Sequence, residues 1–246
     1  MKTIKLVIYK ILFFFVKLFY KKTDFIGIEN LPEEPCVIIG NHTQMNGPII
    51  GELYFPGKRY IWCAAEMMSC KDVPAYAFKD FWSRKPKSIR WFYKILSYII
   101  APLSDIVFNN AHTIAVHHNR NVVYTFRETV SRLNEGNNII IYPEHDVPFN
   151  DILCDFQDGF VDVAKMYYKQ TKKEISFVPV YIAPTIHSVY IGKPIKYNAD
   201  NNIKDERRRI CDYLKNKITE LAVSAPKHKI VPYNNISKKE YKYNKE

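Results

Sequence analysis

The chain has 246 residues, of which 47% are hydrophobic and 25% charged. This balance excludes disorder over the whole length and fits one domain of ordinary to large size, or two small ones. Five cysteines without a C-x-x-C pair exclude a disulfide scaffold and a cysteine-rich zinc module, and they suit a reducing cytoplasm. The histidines lack H-E-x-x-H spacing, so we expect no metal site.

The net charge of +11 is concentrated at the two ends of the chain. Residues 1–22 contain six lysines and no acidic residue, and residues 226–246 contain six lysines and two glutamates. The body between them is nearly neutral. A nucleic-acid-binding domain normally carries its positive charge on the fold itself, whereas two basic ends favour an anionic membrane surface. We therefore expect no nucleic acid partner.

Residues 3–20 read TIKLVIYKILFFFVKLFY and predict a helix that lies in a membrane interface. The longest apolar run has only six residues, which is too short for a simple span or a cleaved signal peptide. Lys10 and Lys17 share one face of such a helix, and phenylalanines cover most of the rest. The alternative is a core helix whose lysines reach out to water.

The following segments alternate between predicted strands and helices. Residues 36–39, 60–64 and 112–116 are candidate strands, and the apolar stretch 89–108, which we expect to break at Pro102, is either a buried or a membrane-facing helix. Helical spacing over 122–133 followed by the β-branched run 138–142 predicts, with 112–116, a βαβ unit with a parallel strand pair.

Further helices are expected over 156–167 and 210–221, the latter with Asp205 as N-cap, and strands over 175–182 and 186–191. The alternation predicts an α/β fold: a mixed, mainly parallel sheet flanked by helices, with the N-terminal membrane-interface helix. We divide the chain into this helix (residues 1–22), the α/β domain (23–225) and a basic, extended tail (226–246).

Two polar turns directly follow predicted strands. Asn41 and His42 come after the first buried strand, and Glu144, His145 and Asp146 come after the strand at 138–142. Ligands of open α/β sheets bind where strands end, so both turns are expected at one crevice. Imidazole is the usual general base near neutral pH. Taken singly, His42 is also compatible with a structural role and Glu144 with a turn cap.

These pieces, in this order, resemble the phospholipid/glycerol acyltransferase family, the lysophosphatidate acyltransferase-like enzymes. Residues 40–48 (GNHTQMNGP) stand where the family has N-H-x-x-x-x-D, residues 142–147 (YPEHDV) where it has F-P-E-G-T-R, and residues 177–180 (FVPV) where it has V-P-V. Residues 114–120 (IAVHHNR) are a loose match to the apolar second motif that ends in arginine. The stretch 156–160 also fits, and the similarity covers residues from about 26 to about 195.

The resemblance implies an O-acyltransferase at the cytoplasmic face of a membrane, as a peripheral or monotopic protein. His42 would be its general base, oriented by Asn46, and the acyl donor would be a thioester of coenzyme A or of acyl carrier protein, with no further cofactor. The expected partners are an anionic membrane surface, this donor and a glycerolipid-type acceptor. The residues expected at the substrate are Asn41, Arg120, Tyr142, Pro143, Glu144 and His145.

Two of the motifs depart from the family's pattern. Gly47 replaces the aspartate that would hold the imidazole in its tautomer, so we expect either a slower enzyme or another carboxylate near the ring. His145, Asp146 and Val147 replace the glycine-threonine-arginine end of the third motif, where arginine suits a phosphate. We therefore expect a zwitterionic or uncharged hydroxyl lipid rather than lysophosphatidate as acceptor. The alternative function is a non-catalytic lipid-binding protein of the same fold.

Overall fold

The computed structural model describes residues 2–83, 85–118 and 121–245. Its helices are α1 (Lys2–Phe19), α2 (Asn46–Leu53), α3 (Val73–Ala77), α4 (Arg90–Asn110), α5 (Val122–Asn134), α6 (Asp162–Thr171) and α7 (Ile203–Ser224). Its strands are β1 (Asp24–Ile26), β2 (Val37–Gly40), β3 (Arg59–Ala64), β4 (Thr113–Val116), β5 (Asn138–Ile141), β6 (Glu144–Pro148), β7 (Cys154–Phe156), β8 (Ser176–Ala183), β9 (Ser188–Ile191) and β10 (Ile195–Lys196).

The chain divides into two compact units. The smaller unit comprises Met1–Lys21 and Trp62–Thr125, and the larger comprises Lys22–Ile61 and Phe126–Glu246. The division at residues 22 and 225 that the sequence suggests stays a prediction, because these units group residues by contact and not by function.

The sheet of the larger unit has the strand order β1-β9-β8-β2-β5-β3. Strand β2 pairs in parallel with both β5 and β8, and parallel pairs also join β5 to β3 and β1 to β9. Strands β9 and β10 run antiparallel to β8. The expected fold class, a mixed and mainly parallel sheet flanked by helices, is therefore confirmed. The β-branched residues of β2 and β5 are buried, as is usual for parallel strands covered on both faces.

Helix α7 packs on β8 and buries the apolar positions that its 3.6-residue period predicts, such as Ile210, Leu214 and Ile218. The predicted N-cap at Asp205 is wrong. The cap is Asn202, whose side-chain oxygen accepts a hydrogen bond from the N–H of Lys204 (2.9 Å). Asp205 lies in the first turn instead, where its charge suits the helix dipole.

The smaller unit is built around helix α4. This helix continues through Pro102, so the expected break there is wrong; the ring lies on an exposed face, and the Ala101–Ser104 side is buried. Lys5 of α1 forms an ion pair with Asp105 of α4 (2.5 Å). Residues Lys87–Asn110 are, by length and composition, long and apolar enough to cross a membrane, and much of this surface is exposed.

Two further expectations need correction. Strand β5 pairs with β2 and β3 and not with β4, because a strand can enter the sheet between the two ends of a crossover. The helix expected over 156–167 begins only at Asp162. Residues Cys154–Phe156 form β7, which pairs with β6 in a hairpin, and a short 3-10 turn, Asp158–Val161, leads into α6.

The C-terminal segment, described over residues 226–245, has little regular structure but packs on the fold instead of forming a loose tail. Ile230 and Val231 are buried, and the side chain of Asn244 hydrogen-bonds to the N–H of His228 (2.9 Å) and to the carbonyl of Ala222 (2.8 Å). Tyr181 of β8 pairs its hydroxyl with the ring of His228 (2.7 Å). This segment is therefore part of the folded larger unit.

Candidate active site

The candidate site forms at the carboxyl end of β2, where the chain leaves the sheet at Asn41. The amide of Asn41 is buried and makes two hydrogen bonds with the main chain of Ile182 in β8: its nitrogen donates to the carbonyl (3.0 Å), and its oxygen accepts from the N–H (2.7 Å). Asn41 thus ties the start of the turn to the neighbouring parallel strand.

The turn after His42 has an unusual backbone. Thr43 (φ 47°) and Gln44 (φ 57°) are both left-handed, although neither is glycine. Such residues cost about 1 kcal/mol or more each and cluster at functional sites. The turn is closed by Asn46, whose side-chain amide donates to the carbonyl of Thr43 (2.9 Å). Two strained residues directly after a histidine therefore mark this turn as a candidate site.

Gly47 is required by the geometry of this turn. Its N–H donates to the carbonyl of His42 (3.2 Å), and a Cβ at this position would lie only 2.6 Å from that same oxygen. It would also lie 3.1 Å from the ring of Tyr142 and 3.2 Å from the carbonyl of Asn41. The backbone seen here therefore has no room for the aspartate that the family motif places five residues after the histidine.

Glu144 joins the two polar turns. Its carboxylate accepts hydrogen bonds from the N–H of His42 (2.6 Å) and from the N–H of Cys154 in β7 (2.9 Å). The side chain is only 5% exposed. Burial raises the pKa of Glu144 to about 7, and the two hydrogen bonds partly oppose the rise. The carboxylate thus clamps the main chain of His42 to the β6–β7 hairpin.

The ring of His42 contacts the rings of two tyrosines. Its centroid is 5.5 Å from that of Tyr142 and 5.6 Å from that of Tyr233, both in edge-to-face orientation. Burial lowers the pKa of His42 to about 4, and an interaction with the backbone of Gln44 opposes this shift. The imidazole is therefore uncharged at neutral pH.

Within the described residues, Nδ1 of His42 is buried and has no hydrogen-bond partner of standard geometry. Asn46 therefore does not orient the ring through this nitrogen, contrary to the expectation from the sequence. The reason is its place in the first turn of α2, from which its amide turns back to Thr43. In the part of the chain that the structure describes, no carboxylate hydrogen-bonds to Nδ1 either, and Glu144 binds the main chain of His42 instead.

The other predicted residues have varied positions. Tyr142 donates its hydroxyl proton to the carbonyl of Gly47 (2.6 Å), and Pro143 accepts from the N–H of Gln157 (2.9 Å). The half-buried His145 accepts a long hydrogen bond at Nδ1 from the N–H of Val147 (3.4 Å). Arg120 lies outside the described residues.

The C-terminal segment contributes to the site, which sequence reasoning missed. The side-chain nitrogen of Gln44 donates to the carbonyl of Asn234 (3.2 Å) and to the hydroxyl of Tyr241 (3.0 Å), and Tyr233 contacts the ring of His42. The segment is short of apolar residues and without period, so no sequence signal connects it to a turn almost 200 residues earlier. Among the described residues, no group of three or more His, Cys, Asp or Glu side chains is arranged to hold a metal.

Comparison with known proteins finds similarity among solved structures. No family model matches the chain, and no curated protein matches it significantly. The crystal structure of the 1-acyl-sn-glycerophosphate (LPA) acyltransferase, PlsC, from Thermotoga maritima is similar, with a TM-score of 0.48 and 17% sequence identity over 89% of this chain and 79% of that chain. At this level of identity, the function rests on the residues of the site itself.

Proposed function

We propose that this protein is a membrane-surface O-acyltransferase that moves a fatty acyl group from a thioester to the hydroxyl of a glycerolipid-type acceptor. One observation carries the proposal. The uncharged His42 lies in a strained turn at the carboxyl end of β2, and the buried Glu144, which follows the neighbouring strand β5, binds its main chain. Two of the sequence motifs behind the family resemblance, residues 40–48 and 142–147, thereby meet at one place.

The chemistry needs a base and an activated acyl group. His42 accepts the proton of the acceptor hydroxyl as the oxygen attacks the thioester carbonyl, and the collapsing intermediate expels a thiolate that takes up the proton. General-base help of this kind contributes roughly 10²–10⁴-fold. A pKa of about 4 makes the imidazole a weak base, so we expect a slow enzyme. The donor is acyl-CoA or acyl carrier protein, and no other cofactor is needed.

The acceptor is the least constrained part of the proposal. The carboxylate of Glu144 binds the main chain of His42, which leaves Tyr142 and His145 to position the acceptor, with Arg120 as the family resemblance implies. Asp146 is exposed beside His145, and its charge disfavours a phosphomonoester there. We expect a zwitterionic or uncharged hydroxyl lipid to react faster than lysophosphatidate or glycerol 3-phosphate at equal donor concentration. Efficient turnover of lysophosphatidate, lost on Arg120→Ala, would contradict this expectation and identify the phosphate-binding residue.

Membrane attachment is proposed for the smaller unit. Phe14, Leu18 and Phe19 of α1 are 61–79% exposed, and Trp91 and Ile99 of α4 are each 65% exposed. Exposed apolar patches of this kind mark sites of membrane or protein contact. Lysines of α1 beside these side chains would meet anionic headgroups. We place the protein at the cytoplasmic face of a membrane, as a peripheral or monotopic protein.

A second candidate function is lipid binding without catalysis. It is favoured by Nδ1 of His42, which has no polar partner of standard geometry in the described part of the chain, and by Gly47 in place of a carboxylate. An imidazole that only lines a lipid site needs no orienting group. This candidate predicts saturable lysolipid binding with no release of thiol from any donor.

The two candidates separate in one assay on purified full-length protein. Acyl-CoA or acyl carrier protein thioesters are supplied with a lysolipid in anionic vesicles, and ester product is measured by mass spectrometry. We expect His42→Ala to lower the rate at least ~10²-fold. The matched control is His187→Asn at a second left-handed position, where asparagine is well tolerated. Full activity of His42→Ala would contradict the proposed mechanism.

A further inference from the structure

The C-terminal segment brings an aromatic side chain to the candidate base. The ring of Tyr233 meets that of His42 edge to face, with an interplanar angle of 84°, and Tyr142 packs on the same imidazole at 73°. Edge-to-face pairs at these centroid distances are favourable and have a preferred orientation. The two tyrosines therefore restrict how the imidazole can turn.

Tyr142 is fixed by the sheet and the turn. Its hydroxyl donates to Gly47, and a Cβ at Gly40, Gly47 or Gly51 would each lie within 3.2 Å of its side chain. The absence of side chains at these three glycines thus leaves room for the ring of Tyr142. Tyr142 is thus held in place by these contacts where its ring packs on His42.

Tyr233 belongs to the C-terminal segment and is held in place by contacts on both sides of it in the sequence. The next residue, Asn234, accepts a hydrogen bond from Gln44, and the same side-chain nitrogen donates to Tyr241. Upstream, the buried Ile230 and Val231 anchor the segment in the larger unit. Gln44, two residues after His42, therefore holds the segment that contains Tyr233.

A base normally needs a group that fixes its ring, and Nδ1 of His42 has no hydrogen-bond partner of standard geometry in the described part of the chain. We propose that Tyr233 is a positioning residue that holds the His42 ring through aromatic packing, with Gln44 tethering its segment to the turn. The inference rests on the proposed function for its effect on catalysis, but the positioning itself is a property of the folded chain.

The experiment uses four full-length variants: Tyr233→Leu, Tyr233→Phe, Gln44→Asn and Tyr243→Leu. Tyr243→Leu is the matched control, because the ring of Tyr243 packs on Lys227 and Lys229. Gln44→Asn keeps an amide and suits a left-handed backbone, but it is too short for both tethers. The readouts are the pKa of His42, followed by NMR of histidine-labelled protein, and the kcat and KM of acyl transfer.

We expect Tyr233→Leu to raise the pKa of His42 by about one pH unit toward its ordinary value, because the ring loses part of its apolar cover. It should lower kcat at least ~10-fold with KM within about twofold, as misplacing a catalytic group does. Tyr233→Phe keeps the ring and should restore both readouts. Gln44→Asn should shift both in the same direction by less, and Tyr243→Leu should match the unmodified protein.

An unchanged pKa and kcat in Tyr233→Leu would overturn the inference, as would equal effects of Tyr243→Leu. If Tyr233→Leu does not fold by circular dichroism, Gln44→Asn decides, and unmodified values of both readouts there would overturn it. Absence of acyl transfer by the unmodified protein contradicts the proposed function. The titration of His42 needs no turnover, so it still decides whether Tyr233 holds the ring.

Discussion

Gly47 shows how a single residue separates this site from the family motif that it resembles. The sequence places glycine where the family has aspartate, and the fold gives the reason: any Cβ there would collide with the carbonyl oxygen of His42. The loss of the carboxylate and the shape of the turn are thus one feature. A glycine substitution therefore tests the turn directly.

We predict that Gly47→Ala lowers the free energy of unfolding by about 1–3 kcal/mol, the usual cost of forcing a side chain into a packed site. Acyl transfer should fall with it, because the displaced atom belongs to His42. The control is Gly159→Ala, since a Cβ at Gly159 meets no atom within 4 Å and its φ is not left-handed. Chemical denaturation measures both variants. Equal stability of the two would contradict the proposed fit.

Glu144 and His42 make opposite contributions to the pH dependence of stability. Burial raises the pKa of Glu144 from 4.5 to about 7, so the folded state binds this proton more tightly and the free energy of unfolding falls as the pH rises across that range. For His42 the pKa is lowered from 6.5 to about 4, so its contribution rises with pH over that interval. The two effects oppose each other between about pH 4.5 and 6.5.

We predict that Glu144→Gln removes the part of the unfolding free energy that falls as the pH rises. The unfolding free energy of the variant, relative to the unmodified protein, should therefore rise by roughly 3 kcal/mol between pH 4.5 and 7, from 1.36 kcal/mol per pKa unit. In addition, the weaker hydrogen bond to the N–H of His42 should lower the unfolding free energy by an amount that does not depend on pH. Urea denaturation at several pH values measures the trend, with the exposed Glu29→Gln as control. A relative stability that is flat over this interval would show that Glu144 is not the titrating group.

At the scale of elements, the strands and the longer helices follow from the sequence because their patterns are strong. Strand β2 and helix α7 carry unbroken β-branched and 3.6-period signals, respectively, and both form close to where they are expected. Boundaries fail where two local signals compete. Asn202 and Asp205 both suit a helix start, and only the fold selects Asn202.

Helix α1 is the element whose role the sequence states most clearly and whose membrane contact stays a prediction. We expect deletion of residues 1–22 to reduce binding to anionic vesicles at least ~10-fold, since each lysine near such a surface adds about 1 kcal/mol. The α/β body should keep its melting temperature. Co-sedimentation and circular dichroism provide the measurements.

The matched control for this deletion keeps the helix and changes only its exposed side chains, with Phe14, Leu18 and Phe19 replaced by glutamine. It should lose vesicle binding while keeping the ion pair of Lys5 with Asp105. Aggregation of the truncated protein, or a markedly lower melting temperature, would mean that these side chains belong to the core.

At the scale of the whole molecule, the sequence brings His42 and Glu144 to the same sheet edge by a general rule, because parallel strands end together. It does not reveal that Glu144 binds the main chain of His42, that Gln44 anchors residues from the C-terminus, or that Tyr233 reaches the ring. These contacts depend on where irregular segments return to the fold, and no local pattern encodes that path.

The central claim is that the chain transfers an acyl group from a thioester to a lipid hydroxyl with His42 as base. The most direct measurement is a single-turnover reaction of the full-length protein with acyl-CoA and a lysolipid in anionic vesicles, in which released thiol and formed ester are counted together. The account predicts equal amounts of both, and a rate at least ~10²-fold lower for His42→Ala. Thiol release without ester, or an unchanged rate in that variant, would contradict it.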